Sequence, residues 1–207
     1  MKIKKYTAIR QLTHNSFLNL FEMDALTHSG NPFHYYFVSR NQMEKIKALT
    51  KTEQAEGIII FSISKEKPDN IVMIKQYRYP LDDYIYELPA GLIEVGEEAE
   101  EAAVREMLEE TGLRLEVYQS GNASMRRAFY MGPGFTDESN QTVFGYVSGS
   151  ISKKNQEDSE TIQVCMVNKE EARRILAEEK VSLRCAYLLL LFLQSDPNMP
   201  FSFLDFK

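Results

Sequence analysis

Glu106, Glu109 and Glu110 crowd three carboxylates into the stretch GLIEVGEEAEEAAVREMLEETGL, Gly91 to Leu113, which holds eight glutamates against the single arginine Arg105. The stretch reads as one helix. Carboxylates three or four positions apart on a helix repel by roughly 0.2–0.5 kcal/mol per pair, and Glu106/Glu109, Glu106/Glu110, Glu97/Glu101 and Glu98/Glu101 all carry that cost. At about 100° per residue, Val104, Met107, Leu108 and Thr111 share one face, read as core. Glu106 and Glu110 point the other way with Glu109 beside them, and Ala99, Ala102 and Ala103 fall on this carboxylate face, where small side chains leave open space. Clustered carboxylates with room above them suit a hard divalent cation: Mg²⁺ takes oxygen ligands, keeps several waters and is commonly shared between one or two carboxylates and a substrate phosphate. Such an ion would offset the repulsion. A solvated acidic helix is the alternative. Upstream, LPAG reads as a tight turn offering a backbone carbonyl, Gly91 permits close approach, and Gly112 ends the helix as a C-terminal cap.

The rest of the chain narrows the classes of partner. Its 207 residues suffice for one large domain or a small one joined to a medium one, with a real core. The net charge of −6 is concentrated in the acidic stretch, because outside residues 91–113 the chain has 23 basic and 22 acidic residues. That balance provides no basic stripe for a nucleic acid. Cys165 and Cys185 are too few for a disulfide framework and lie outside any CxxC pattern, which fits a reducing, cytoplasmic setting. The start, MKIKKYTAIRQLTH, has no apolar core of a secretory signal. The apolar run AYLLLLFL at 186–193 is far short of the ~18–20 residues that span a bilayer, so it reads as a buried helix and no membrane partner is expected.

The elements that must position the acids follow from pattern. Residues 17–26 and 34–39 are strand-like aromatic runs separated by the turn cluster THSGNP. The polar stretch 40–56 connects this small β unit to the main domain, and the division is placed at 1–45 and 46–207. Strands are expected at GIIIFSIS, IVMIKQYR and YIYELPA before the acidic stretch, and at LRLEVYQS, QTVFGYVSG and TIQVCMV after it. Two helices, KEEARRILAEEK and SLRCAYLLLLFLQS, precede an aromatic tail. Without a regular βαβ alternation the fold class is α+β.

Gly91, five residues, Glu97, seven residues, then Arg105-Glu106-Met107-Leu108-Glu109-Glu110-Thr111-Gly112-Leu113 resembles the Nudix box at every position the motif specifies. That motif marks hydrolases of nucleoside diphosphates linked to another moiety. KQYR and ELPAG before it, PGFTDE after it, the N-terminal β unit and the final PFSFLDF are similar to the ADP-ribose (ADP-sugar) pyrophosphatase branch. The resemblance implies an α/β/α sandwich around a mixed sheet with a small N-terminal antiparallel β unit, in a homodimer whose N-terminal units are exchanged. It implies Mg²⁺, with Mn²⁺ as the alternative, at two or three ions per site, held by the Ala90 carbonyl and the carboxylates of Glu106, Glu109 and Glu110. Glu97 and Arg105 would orient these ligands, and Gly91, Glu97 and Gly112 would shape the motif. Arg78 and Glu87 fall where the branch holds the phosphates and terminal ribose. Phe17, Tyr35 and Arg40 resemble residues that sandwich and border the adenine, although core packing is an equal reading for Phe17 and Tyr35. Met131, Gly132 and Phe135 belong to a loop over the substrate.

The branch places its general base on a loop corresponding to QEDSETIQV, where Glu160 is preferred over Glu157 and Asp158; with Glu109 and Arg105 it completes the expected catalytic set. Hydrolysis of ADP-ribose to AMP and ribose 5-phosphate is the reading implied. Another nucleotide sugar such as GDP-mannose or UDP-glucose is the enzyme alternative, and a non-catalytic ligand-sensing module the alternative of a different class.

Overall fold

The computed structural model describes residues 4–156 and 161–205. In chain order the elements are β1 (Tyr6–Gln11), β2 (Asn19–Leu26), β3 (Pro32–Ser39), α1 (Lys47–Thr50), β4 (Gly57–Ser64), β5 (Ile71–Arg78), β6 (Asp83–Glu87), β7 (Ala90–Leu92), α2 (Ala99–Thr111), β8 (Arg114–Val117), β9 (Ala128–Tyr130), β10 (Ser139–Ser148), β11 (Ile162–Val167), α3 (Lys169–Glu178) and α4 (Leu183–Gln194). They form two compact units: residues 1–56 with 128–140, and residues 57–127 with 141–207.

The larger unit is built on strands in the order β11-β5-β4-β10-β8, with β6 beside β5 and β7 beside β4. Strand β4, GIIIFSIS, is buried along its whole length, as a near-continuous apolar run predicts for a central strand covered on both faces. Alternate side chains serve opposite layers. Ile59, Phe61 and Ile63 join Ala172 and Ile175 of α3 and Cys185, Leu189 and Phe192 of α4 in one core. Ile58 and Ile60 join Ala99, Ala102, Ala103 and Met107 of α2 in the other. The result is the expected α+β class, with helices on both faces of a mixed sheet. The aromatic tail has a structural use: Phe201 and Phe203 pack edge-on against Phe61 and Phe144.

Three expectations about this unit are corrected. The stretch from Gly91 is not one helix, because α2 begins only at Ala99, preceded by β7 and a turn with Gly96 at φ +88°. LPAG is not a tight turn: Pro89, which has no N–H to give a ladder, separates β6 from β7, while its carbonyl accepts from Ile60 N–H at 2.8 Å. Helix α4 is buried on one side only, with Tyr187 63% and Leu183 67% exposed, since a 3.6-residue period cannot turn a continuous apolar run toward a single sheet.

The smaller unit is a three-stranded antiparallel sheet in the order β1-β2-β3. Its first strand falls in a segment read from sequence only as a non-signal N-terminus. Phe21 and Phe37 stack at 5.1 Å between ring centroids and, with Ile46, form a buried core of their own. Phe21 and Phe37 are thus buried within this unit. On the outer face Arg10 binds Glu22 at 2.9 Å and Asp24 at 2.5 Å, and His34 lies against the same two carboxylates. The Arg10 guanidinium holds both carboxyls below their usual range. Among the described residues no helix is long and apolar enough to cross a membrane.

Candidate active site

In the larger unit the site is built where β7 meets α2. Helix α2 starts in a capping box at Glu98, whose N–H donates to Glu101 Oε2 at 3.0 Å. The expected repulsion between Glu98 and Glu101 is thus offset by the unpaired N–H groups of the helix start. The helix stops at Gly112, at φ +77° with its N–H on the Leu108 carbonyl, as a C-terminal glycine cap requires. Between these ends the buried face is rotated from the expected one, keeping Met107 and Thr111 but losing Val104 and Leu108. Ala99, Ala102 and Ala103 are buried with Met107 and Thr111, whereas Val104 and Leu108 are 42% and 43% exposed. The alanines do not leave open space; they let the helix approach the sheet. Glu110 lies on this inward side, 2% exposed, and accepts from Ala90 N–H at 3.2 Å. Glu106 reaches the position a Cβ on Gly91 would occupy, so a side chain there would push the Glu106 carboxylate aside.

Arg105 collects the remaining acids. Its Nε and Nη2 bind the two Glu97 oxygens, each at 2.9 Å, in a fork. Nη1 reaches Glu106 Oε1 at 2.7 Å and Glu109 Oε2 at 3.1 Å, and Nη2 also donates to the Leu92 carbonyl at 2.9 Å. Arg105 and the backbone N–H of Glu94 hold the Glu97 carboxyl below its usual range, and Glu97 in turn raises the Arg105 guanidinium further. Arg78 Nε binds Glu87 Oε2 at 2.5 Å beside this site on β5 and β6, with the Glu87 side chain 9% exposed.

The residues fit a hard divalent cation by chemistry. Glu106, Glu109, Glu110 and the Ala90 carbonyl are all oxygen donors, and the missing Cβ of Gly91 makes a cradle into which the Glu106 carboxylate extends. As they stand the carboxylates are turned to Arg105 and to Ala90 N–H, and among the described residues no three His, Cys, Asp or Glu side chains form a metal-ready group.

The smaller unit gathers a different set. Phe17 is 77% exposed. Tyr35 donates its hydroxyl to the Gly134 carbonyl at 2.5 Å, and Arg40 binds Glu138 at 3.0 Å. Met131 N–H donates to the Glu138 carbonyl, and the Phe135 and Thr136 N–H groups both reach the Gly132 carbonyl at 2.9 Å, closing a loop with Phe135 64% exposed. The ring of Phe135 lies where a Gly132 side chain would stand.

With both sets of geometry in hand, comparison with known proteins decides the family: the NUDIX domain model matches residues 53–187. The chain belongs to the NUDIX domain family. It is 36% identical over 129 residues to the ADP-ribose pyrophosphatase of Bacillus subtilis (strain 168), covering 60% of this chain and 64% of that one. To the ADP-sugar pyrophosphatase of Mus musculus it is 33% identical over 109 residues, 51% of this chain and 48% of the relative. The matches thus span less than two thirds of these relatives' length. The crystal structure of an ADP compounds hydrolase superposes with a TM-score of 0.63 at 16% identity, covering 94% of this chain and 95% of that one, a likeness of fold.

Within this NUDIX chain the expected metal and orienting residues, Ala90, Gly91, Glu97, Arg105, Glu106, Glu109 and Glu110, do come together in one unit, and Tyr35, Arg40 and the 131–135 loop in the other. Glu157, Asp158 and Glu160 lie outside the described residues. Their flanks are tied down: Gln156 Nε2 donates to the Glu110 carbonyl at 2.6 Å, and the Thr161 carbonyl accepts from Tyr77 N–H at 3.2 Å. Sequence reading missed Lys47, Glu56, Asp137 and Ser139, which form a hydrogen-bonded cluster. Lys47 and Glu56 sit in a polar stretch whose pattern carries no sign that a lysine would be buried.

Proposed function

We propose that this NUDIX protein hydrolyses the pyrophosphate bond of ADP-ribose to AMP and ribose 5-phosphate with Mg²⁺, Mn²⁺ being the alternative ion. The observation that carries the reading is the Arg105-centred carboxylate cluster closed over Gly91, on a chain whose relatives include named ADP-ribose pyrophosphatases. Glu106, Glu109, Glu110 and the Ala90 carbonyl would hold two or three ions. When bound, such ions neutralise phosphate charge and lower the pKa of a coordinated water. The chain's own residues do the rest. Arg105 and Glu97 keep the acids in register, Arg78 offers a cation to the phosphates and Glu87 a buried acceptor to ribose, and Glu160, ahead of Glu157 and Asp158, takes the proton of the attacking water. Phe17, Tyr35, Arg40 and the Met131, Gly132 and Phe135 loop serve recognition of the nucleotide. We also propose a homodimer with exchanged N-terminal units. An ADP-sugar other than ADP-ribose is a second reading, favoured by the similarity to the mouse ADP-sugar pyrophosphatase.

The test is to incubate the protein with Mg²⁺ and a panel of ADP-ribose, ADP-sugars, GDP-mannose, UDP-glucose, dinucleoside polyphosphates and dNTPs, and to separate the products. AMP release fastest from ADP-ribose is expected. Glu106→Gln and Glu110→Gln should each lower turnover at least about a hundredfold and weaken Mn²⁺ binding read by electron paramagnetic resonance. Unchanged activity and Mn²⁺ binding in both variants would sink the metal assignment.

A further inference from the structure

The loop of residues 131–136 contains Gly132, Pro133 and Gly134 and is closed through the Gly132 carbonyl, the Met131–Glu138 bond and the Thr136 hydroxyl, which accepts from Glu138 N–H at 3.2 Å. A segment so rich in glycine has much backbone freedom to lose on binding. In the same compact unit, β3 and α1 remove that freedom from outside. Val38 N–H donates to the Phe135 carbonyl at 2.8 Å, and Val38 bridges Thr136 in parallel register. Tyr35 hydroxyl takes the Gly134 carbonyl, and Arg40 takes Glu138. Lys47 completes the set. Its backbone N–H donates to Asp137 Oδ2 at 2.9 Å, and its ammonium binds Ser139 Oγ and Glu56 Oε2, the latter at 2.7 Å. Glu56 Oε2 also accepts from Ser139 N–H at 2.8 Å.

The Lys47 side chain is only 6% exposed. A buried ion pair is a poor way to gain stability, since an apolar pair of similar volume usually does as well or better. What the pair supplies is direction: an ammonium and a carboxylate that both address Ser139, and a neighbouring N–H that addresses Asp137, fix residues 137–139 in one register. The Tyr35 hydroxyl is turned to the loop, and Arg40 binds Glu138 just beyond it.

We propose that β3 and α1 form a mould for the Met131–Thr136 loop, in which Tyr35, Arg40 and Lys47 are positioning residues. This rests on the reading of that loop as a substrate-recognition segment. The mould prepays the ordering of the loop, so loosening it weakens substrate capture while leaving the chemical step alone.

The experiment uses the full chain with Mg²⁺ and ADP-ribose and compares Tyr35→Phe, which keeps the ring and removes only the hydroxyl, with Lys47→Met and with Phe135→Ala. The expected result is a KM raised about two- to tenfold in Tyr35→Phe and more in Lys47→Met, with kcat within about threefold. Hydrogen exchange at Val38 N–H should quicken in both. If Lys47→Met does not fold, Tyr35→Phe decides, because its hydroxyl is not part of a core. An unchanged KM in the folded mould variants, with KM raised in Phe135→Ala, overturns the mould and leaves the recognition loop standing. An unchanged KM in all three overturns both. Loss of kcat with KM unaltered also overturns the mould, since it would place these residues in the chemistry.

Discussion

Arg105 is the residue on which the acidic cluster depends. One guanidinium meets Glu97, Glu106 and Glu109, so the repulsion written into the sequence is offset within the chain itself, before any bound ion adds to it. Gly91 is the second such residue, because the Glu106 carboxylate stands where its side chain would be. Gly91→Ala should displace Glu106, lowering turnover about a hundredfold while the melting temperature moves little, as Gly91 does not sit in the left-handed region. Parallel activity and thermal-melt measurements check this. The pH response follows from Glu97, whose carboxyl is held down first by Arg105 and then by Glu94 N–H. A depressed carboxyl stabilises the fold fully above its unfolded value of 4.5 and loses that contribution as pH falls through its lower folded value. The melting-temperature difference between the native chain and Glu97→Gln should therefore be widest near neutrality and narrow as pH falls below 4.5.

At the scale of elements, α2 separates what was legible in the sequence from what was not. Its C-terminal glycine cap and the gathering of its acids were readable, because both follow from local chemistry. Its buried face was legible only in Met107 and Thr111. Val104 and Leu108 outweigh alanine in any hydrophobic pattern, yet it is Ala99, Ala102 and Ala103, together with Met107, that pack with Ile58, Ile60 and Val72 of the sheet. Glu110 turns inward with the alanines because its carboxylate accepts from Ala90 N–H, and Gly91 makes room for Glu106. Strands with long apolar runs, such as β4 and β5, were legible; β1, with its alternating YTAIRQ, was passed over beside a basic N-terminus. The rotated face makes a sharp prediction. Ala103→Leu would be harmless if the alanines bordered open space, but at 0% exposure it should cost about 1–3 kcal/mol through overpacking, read as a lowered denaturation midpoint.

Across the whole molecule, the chain's order in sequence and its order in space part company at residues 128–140, which lie between segments of the larger unit but belong with residues 1–56. That assignment gives the proposed homodimer a test that sequence order alone would not suggest. If N-terminal units are exchanged, residues of one unit should behave as one complementation group and residues of the other as a second. Glu106→Gln disables the larger unit, and Phe17→Ala disables the smaller by removing an exposed aromatic ring whose stacking on a base is worth about 1–3 kcal/mol. Mixed under conditions in which subunits exchange, these two chains should recover part of the activity, because one site in each mixed dimer is intact. Phe135→Ala is the decisive third chain. It should complement Glu106→Gln and fail to complement Phe17→Ala, although in sequence it lies nearer to Glu106. Activity recovered from Phe17→Ala with Phe135→Ala would show that residues 128–140 do not travel with the N-terminal unit. No recovery in any mixture of proven mixed dimers would remove the exchange and leave the hydrolase reading intact.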